Sequence, residues 1–590
     1  MVPALTGAAP RGFLYDEMAL ALSRVGCVAS GHTTHGKASQ LETDMTEITE
    51  TTDAPGNTST TYLMAAGDVF YGFASQNATD WIAVTLVAGQ TYSFGAVGLG
   101  SAESGVADPW LRLHAANGST LATNDDGGPG FCADLTFTAV TSGTYYIEVK
   151  SLTGAVDGAY GLTVTEGDQV SYGADLAAGV LYRDGTSWAA TPFTPVAVTW
   201  GVRLSGPALD ASGNAAPFSQ LTAAQIGATE AALGNFAEVG NITFSQVNPG
   251  GTTNSATILV GAYDSASDGA GAYAYFPGST ASNSDDGDLW INNGAVSTSA
   301  IPVGSYDYFV FLHELGHAMG LAHPGDYNAA PGVTITYQNS AQFIEDSQQY
   351  TVMSYFAATD TEADCPTTYN DTLMLYDIYA IQMMYGVNST TRGGNDTYGF
   401  NSTLSGAYDF TVNTDPLMCI WDGAGRDTLD LSGFGGRQVI DLNGGAFSNV
   451  GGFTGNLSIA YGAMIENAVG GRGADEIYGN EVANALRGGR GVDYIYSAAG
   501  NDRMTGNAGA DQFAYYTGDG RDRVTDFSAA QDELWIWADL WGGGAKTAAQ
   551  VVAEFAVIRG GVVVFDFGAD ELTLQGVTST VGLAANILIF

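Results

Sequence analysis

The chain has 590 residues, enough for roughly three or four domains with a core each. Its 62 Asp and Glu against 18 Lys and Arg set a formal charge of −44, which repels nucleic acid and anionic membranes, so neither is expected as a partner. Only 14% of residues are charged and 45% are hydrophobic, so this is a folded acidic protein and not a disordered polyacid.

Residues 1–60 form an N-terminal segment, a candidate pro-region. It ends in a Ser/Thr/Glu-rich run, Leu41 to Thr61, that buries little and is predicted to be a linker. The apolar stretch Met18–Val28 is broken by Arg24 and follows Asp16 and Glu17, which makes it a poor secretory signal. No run of about 18 apolar residues exists anywhere, so no membrane insertion is expected. Over 61–168 the apolar residues alternate: Ile82, Val84 and Leu86; Leu111 and Leu113; Tyr145, Ile147 and Val149. Period-two alternation broken by Gly, Asn and Asp predicts a β-sandwich.

The segment 176–388 mixes helical and strand patterns. Thr222 and Gln225 have capping-box spacing ahead of a helix whose Ile226, Leu233 and Phe236 share one face. Gly287–Asn292 (GDLWIN) reads as a strand, and Leu375–Gly386 as a helix closed by a glycine. Between them lies HELGHAMGLAH, His313 to His323, which holds three of the six histidines. His313 and His317 are four apart, so on a helix they are offset by about 40° and aim at one point. Gly320 permits the left-handed backbone that ends the helix and lets His323 supply a third nitrogen. Glu314 lies beside the first histidine, where its carboxylate reaches a water on the metal without being a ligand. Three neutral nitrogens with an open position describe one catalytic zinc and not a closed structural site.

From Gly470 to Ala514 the chain runs in nines, with Ile477, Leu486, Ile495, Met504 and Phe513 at the eighth position. This is the calcium-binding nonapeptide, or RTX, repeat, whose glycines permit a tight turn and expose carbonyls while the aspartate adds charge. Gly471, Gly473 and Asp475, Gly488, Gly489, Gly491 and Asp493, Gly500 and Asp502, and Gly509 and Asp511 are the candidate calcium positions. The second nine departs from the pattern, with Val482 and Asn484 where glycine and aspartate belong.

HELGHAMGLAHPGDYN (His313–Asn328) followed by TVMSY (Thr351–Tyr355) resembles the metzincin metalloproteases, and in detail the serralysin group of secreted bacterial proteases. The resemblance implies an α+β metzincin catalytic domain, with Met353 as a floor beneath the zinc. Tyr355 would ligate zinc through its phenol and swing away to stabilise the oxyanion. Gly287–Asn292 resembles the edge strand that pairs with an extended substrate. The sandwich, with Asn124–Gly128 and Ser142–Val149, resembles the pre-peptidase C-terminal domain. In the serralysin roll, successive nines lie on alternate sides and an ion is shared between one nine and the next but one. By position in that family, Arg392, Gly394, Asp396, Asp422, Gly425, Asp427 and Glu466 supply further calcium oxygens, with Ala424 and Met464 acting through carbonyls.

The architecture expected is therefore multidomain: a β-sandwich over 61–168, the catalytic domain over 176–388 and a parallel β-roll (RTX) over 389–590. Its tail, Gly582–Phe590, stands where the family carries an export signal for the type I secretion machinery, with Asn586 in place of an acid. The function expected is a secreted, extracellular, monomeric zinc endopeptidase of broad specificity, stabilised by several calcium ions and acting on proteins and peptides. A calcium-dependent adhesin with a vestigial or latent protease domain is the rival reading, and a zymogen held off by the N-terminal segment is another. Four cysteines are too few for a disulfide scaffold. Cys365 and Cys419 could pair, and Cys27 is either a thiolate capping the zinc of a latent enzyme or an isolated unpaired thiol.

Overall fold

The computed structural model describes residues 46–590 apart from 75–78, 100–107, 126, 130–131, 152–157, 184, 207, 267–268, 282–283, 330–332 and 366–367. Cys27 and the candidate pro-region up to residue 45 lie outside the described residues. Among the described residues no helix is long and apolar enough to cross a membrane. Cys132, Cys365 and Cys419 are buried free thiols, so Cys365 and Cys419 do not pair.

Two five-stranded sheets open the chain. One runs Glu47–Thr49, Val69–Ala74, Gly158–Glu166, Thr91–Leu99, Ala133–Thr138; the other runs Leu63–Met64, Asp80–Leu86, Gly143–Ser151, Pro109–His114, Thr120–Asn124. The alternating residues Ile82, Val84, Leu86, Leu111, Leu113, Ile147 and Val149 face inward between the sheets and form their core. Part of the expected linker differs. Glu47–Thr49 is a parallel edge strand on Val69–Tyr71, and Glu50 accepts the N–H groups of Ala54 (2.6 Å) and Phe73 (3.0 Å). Only Ile48 of that strand packs on the core, too little apolar signal to register as a strand in the sequence.

The outer face of the first sheet is covered by the helix Ala174–Leu181. Leu176 seats so closely on Gly161 that a Cβ there would lie 2.1 Å from its Cδ2. Through this helix Val69, Tyr71 and Val97 join the main core of the molecule.

That core continues into a mixed sheet ordered Ile242–Gln246, Val196–Val202, Ile258–Tyr263, Leu289–Asn292, Ala272–Ala274. The first four strands are parallel and the last is antiparallel. The helix Ala223–Val239 begins at the expected capping box and buries Leu233 and Phe236. The strand expected at the sheet edge is internal. Leu289–Asn292 is buried at all four positions, paired on one side with Ile258–Tyr263 and covered on the other by Ala272–Ala274, which is the true edge. Ala272–Ala274 is too short, and its side chains too small, to show a period in sequence.

After the helix Leu375–Tyr385, closed by Gly386 at φ 80°, the chain winds into two facing parallel sheets. Glu476–Tyr478, Tyr494–Tyr496 and Gln512–Tyr515 stack in one; Ala485–Arg490 and Arg503–Ala508 stack in the other. Successive nines therefore alternate sides, and all five eighth-position residues are buried between the sheets. The tail adds a last strand, Ile587–Ile589, paired with Leu534–Ile536.

The eighth-position side chains fill the space between the two sheets, so truncating one leaves a cavity there. Phe513→Ala is expected to cost about 3–5 kcal/mol, read as a lowered urea midpoint for the roll; an unchanged midpoint would contradict this packing.

Candidate active site

Ser305 caps the helix Tyr306–Ala318, its Oγ accepting the N–H of Tyr308 (3.2 Å). Nearly every residue of this helix is buried, so its axis is set by packing. At its C-terminal end the indole of Trp188 donates to the carbonyl of Ala318 (2.8 Å) and the phenol of Tyr385 to that of Met319 (2.7 Å), satisfying acceptors a helix end leaves open. Gly320 follows at φ 104°, where a Cβ would sit 2.2 Å from the carbonyl oxygen of Thr186; only glycine turns the chain back there. The Arg183 guanidinium then clamps the returning loop, donating to the carbonyls of His323 and Gly325.

The result is one constellation. The Nε2 atoms of His313 and His317 lie 3.2 and 3.0 Å from that of His323. Each Nδ1 faces a backbone carbonyl: Val352 for His313 (2.8 Å), Leu321 for His317 (2.7 Å) and Tyr327 for His323 (2.9 Å). Carbonyls only accept, so Nδ1 carries the proton in all three rings and the three Nε2 lone pairs point at one another. Burial pushes His313 down to about 4 and His317 to about 3, and holds His323 well below its ordinary value, with mutual repulsion adding to the latter two. Three converging lone pairs with no proton between them repel unless a cation sits at their centre. A tetrahedral zinc with bonds of about 2.0–2.1 Å sets its nitrogens about 3.3 Å apart, so the donor set fits zinc.

Glu314 is buried beside this cluster, and burial alone pushes its carboxyl up to about 8. Tyr355 is 37% exposed, with its ring 4.6 Å from that of His323 and 5.7 Å from that of His313. Burial first, and then the neighbouring Glu314 carboxylate, pushes its phenol up to about 12. Met353 lies under the helix with its sulfur where a Cβ on Gly316 would come within 2.3 Å. The turn bearing it is held by a residue that no sequence motif singles out. Asp377 accepts Thr351 Oγ1 (2.6 Å) and the N–H groups of Val352 (2.8 Å) and Met374 (2.9 Å), which fixes the carbonyl that orients His313. Its signal, an acid in the first turn of a helix, is common and does not disclose such a partner.

A cleft of about 1030 Å³ runs over the three histidines, Glu314 and Tyr355. Its lining includes the edge strand Ala272–Ala274 and the rings of Tyr306 and Tyr369.

The calcium candidates fall along the roll. Oxygens of Asp396, Asp422 and Asp427 gather within 4.8 Å of one another. Glu466 accepts the N–H of Asp427 (2.7 Å), and the carbonyl of Gly394 abuts Gly425. Arg392 sends its side chain away, to the carbonyl of Trp421, to Glu238 and over the ring of Tyr408, leaving only its backbone for a cation. Farther on, Asp493 Oδ1 accepts the N–H of Asp475 (2.9 Å) and Asp511 Oδ1 that of Asp493 (3.1 Å). Asp475 Oδ2 accepts the N–H of Gly471, and Gly488 packs on the Asp493 carboxylate. The carbonyls of Gly471, Gly473 and Gly491 abut Gly489, Gly491 and Gly509, at 2.3, 1.8 and 1.6 Å from any Cβ added there. On the other side Gly500 abuts the Asp502 carboxylate, and Asp502 Oδ1 accepts the N–H of Asn484 (2.7 Å).

Asp427 Oδ2 and Asp493 Oδ2 are buried without a hydrogen-bond partner, and burial with neighbouring carboxylates pushes both acids up to about 7. These residues fit a hard cation. In the deviant second nine, Asn484 instead turns an amide N–H to the carbonyl of Glu466 (3.1 Å) and to Asn480 Oδ1 (2.8 Å), making internally the contacts a cation would make. The ladder also reaches Asp522 and Asp532, which the nine-residue count does not find because the spacing between rungs widens from 18 to 20 and 21 residues.

Residues 387–572 match the family described as Peptidase M10 serralysin C terminal, 246–375 match Metallo-peptidase family M12B Reprolysin-like, and 78–151 match Bacterial pre-peptidase C-terminal domain. Metallopeptidase AprA of Pseudomonas marginalis is 38% identical over 360 residues, covering 59% of this chain and 73% of that protein. Serralysin of Photorhabdus luminescens is 42% identical over 348 residues, covering 57% and 70%. Metalloprotease AprA of Pseudomonas entomophila is 40% identical over 378 residues, covering 62% and 76%.

The contact between Gly316 and Met353 makes a sign prediction. Alanine in place of a helix glycine ordinarily gains about 1 kcal/mol. Here the methyl would overlap the Met353 sulfur, at an overpacking cost of about 1–3 kcal/mol. Gly316→Ala is therefore expected to lower the urea midpoint and loosen the bound metal; a raised midpoint would refute the contact.

Proposed function

The chain belongs to the serralysin family and is a zinc metalloendopeptidase acting on proteins, and from that premise we propose how its own residues divide the work. His313, His317 and His323 would hold the zinc, and Tyr355, whose ring lies against those of His313 and His323, would serve as a further ligand. When bound, zinc polarises the scissile carbonyl and lowers the pKa of a water towards about 7. Glu314 takes a proton from the attacking water and delivers it to the leaving amine. Burial suits Glu314 to this role, because a carboxylate that is costly to keep charged accepts a proton readily. Tyr355 turns its phenolic O–H to the tetrahedral oxyanion. The convergence of three Nε2 lone pairs beside a buried Glu314 is the observation that carries this reading.

Substrate is held in extended form along the free edge of Ala272–Ala274, whose N–H and C=O groups pair with any peptide backbone. Recognition through the main chain supports broad specificity. The four-part division is proposed on the same footing, with the 1–60 part cut back to end before Glu47–Thr49, which belongs to the sandwich, followed by the sandwich up to 168, then 176–388 and 389–590. The first part is a pro-region and the last carries the signal for type I export to the extracellular space. The enzyme acts as a monomer.

Calcium is proposed to be structural. The Asp475, Asp493 and Asp511 side, with paired glycine carbonyls, binds more strongly than the side bearing Asn484, and the cluster of Asp396, Asp422 and Asp427 with Glu466 takes another ion. Without cations these carboxylates are buried near one another and repel. The adhesin reading is not favoured, because ligands, base and tyrosine are all present at one cleft.

Glu314→Ala is expected to keep its zinc by metal analysis while losing about 100- to 10,000-fold in casein hydrolysis; retained turnover would remove Glu314 from the mechanism. Calcium chelation is expected to erase the β signal of residues 389–590 in circular dichroism, with recovery on adding calcium back. A roll that stays folded without calcium would overturn the structural role.

A further inference from the structure

Asp346 is fully buried, is not one of the zinc ligands proposed above, and touches both flanks of the site. We infer that Asp346 is a positioning residue that ties the loop of the third histidine to the segment carrying Tyr355. The inference rests on the roles proposed above for His323 and Tyr355.

A single oxygen makes the tie. Asp346 Oδ1 accepts the phenolic O–H of Tyr327 (2.8 Å) and the hydroxyl of Ser354 (2.7 Å). On the first arm, the carbonyl of Tyr327 receives Nδ1–H of His323 (2.9 Å), and the two rings stack with centroids 5.5 Å apart and planes 16° apart. Any shift of Tyr327 therefore carries the imidazole with it. On the second arm, Ser354 immediately precedes Tyr355, and its Oγ also accepts the N–H of Phe356 (3.1 Å). The backbone on both sides of Tyr355 is thus referenced to the same carboxylate. The rings of Tyr327 and Tyr355 meet with centroids 5.1 Å apart, so the two arms close on each other.

The carboxylate is itself anchored from outside the site. Ile344 donates its N–H to the carbonyl of Val170 (2.9 Å), and Glu345 accepts the N–H of Tyr172 (3.0 Å) and the hydroxyl of Ser171. The segment that joins the sandwich to the catalytic region therefore supplies a fixed post on which Asp346 stands.

Its other oxygen, Oδ2, is buried with no hydrogen-bond partner. Leaving a polar atom so is costly, and a purely packing role would avoid that cost with an apolar side chain. A local cost tolerated at a site fits alignment of reacting groups rather than stability. Partners that orient metal ligands carry about 10- to 100-fold in metal affinity or activity.

The test separates the two arms in the full-length, zinc-loaded protein. Ser354→Ala should lower kcat about 10- to 100-fold with KM and metal content unchanged. Tyr327→Phe should weaken zinc retention against a chelator by a similar factor while kcat at saturating zinc stays near native. Asp346→Leu should show both defects, and Asp346→Asn, which keeps an accepting oxygen, should restore most of each. In a Tyr355→Phe background, Asp346→Leu should lower kcat little further. If the losses from Asp346→Leu and Tyr355→Phe multiply instead, or if both single-arm variants match the native enzyme, the inference is overturned. A Tyr355→Phe enzyme with native kcat would sink the role given to Tyr355 and the second arm with it; the first arm would still be decided by zinc retention in Tyr327→Phe.

Discussion

Three imidazole nitrogens gathered in a buried space, two of them about 3 Å from the third, are the constraint on which the structure around the cleft depends. That arrangement is unfavourable in an empty protein and holds only because each ring is gripped from behind by a backbone carbonyl. The three carbonyls come from different places: the turn after the helix, the loop beyond the third histidine, and the methionine turn farther along the chain. Much of the catalytic region can be understood as what keeps those three carbonyls still. Asp377 pins the methionine turn, Arg183 the loop, and the packed helix Tyr306–Ala318 the first two rings.

The roll solves a related problem with the opposite charge. Its carboxylates are stacked rung over rung, each accepting the N–H of the rung before it, and one oxygen of Asp427 and of Asp493 is left buried without a partner. The histidine cluster gathers neutral donors and the roll gathers anionic ones, and in both the polypeptide holds like groups together in a way that a cation would offset. The two regions are also joined directly. Arg392, at the start of the roll, reaches Glu238 on the helix Ala223–Val239 of the catalytic region and stacks over Tyr408.

Local periodicity was the readable part of the fold. The alternation in the sandwich, the capping box at Thr222 and the eighth-position residues of the nines each reflect one element's own geometry, and each appears where expected. Reading failed where an element is short or its role is assigned by a neighbour. Leu289–Asn292 looks like an edge strand until Ala272–Ala274 covers it, and Glu47–Thr49 lies in a run whose composition reads as linker. The ladder beyond Phe513 escaped because longer turns broke the nine-residue count while Asp522 and Asp532 kept their places on the rungs.

By itself the sequence determined that three histidines converge, because four-residue spacing on a helix and a glycine at a forced turn are local facts. It also determined that the last part of the chain winds with a fixed repeat, since a buried residue every nine positions admits few other shapes. Only the tertiary structure decided which nitrogen of each ring faces inward, which strand borders the cleft, and that Asp346, Asp377 and Arg183 serve the site. Those depend on contacts between residues distant in the chain, and the side chains involved carry no spacing that sets them apart from any other buried polar group.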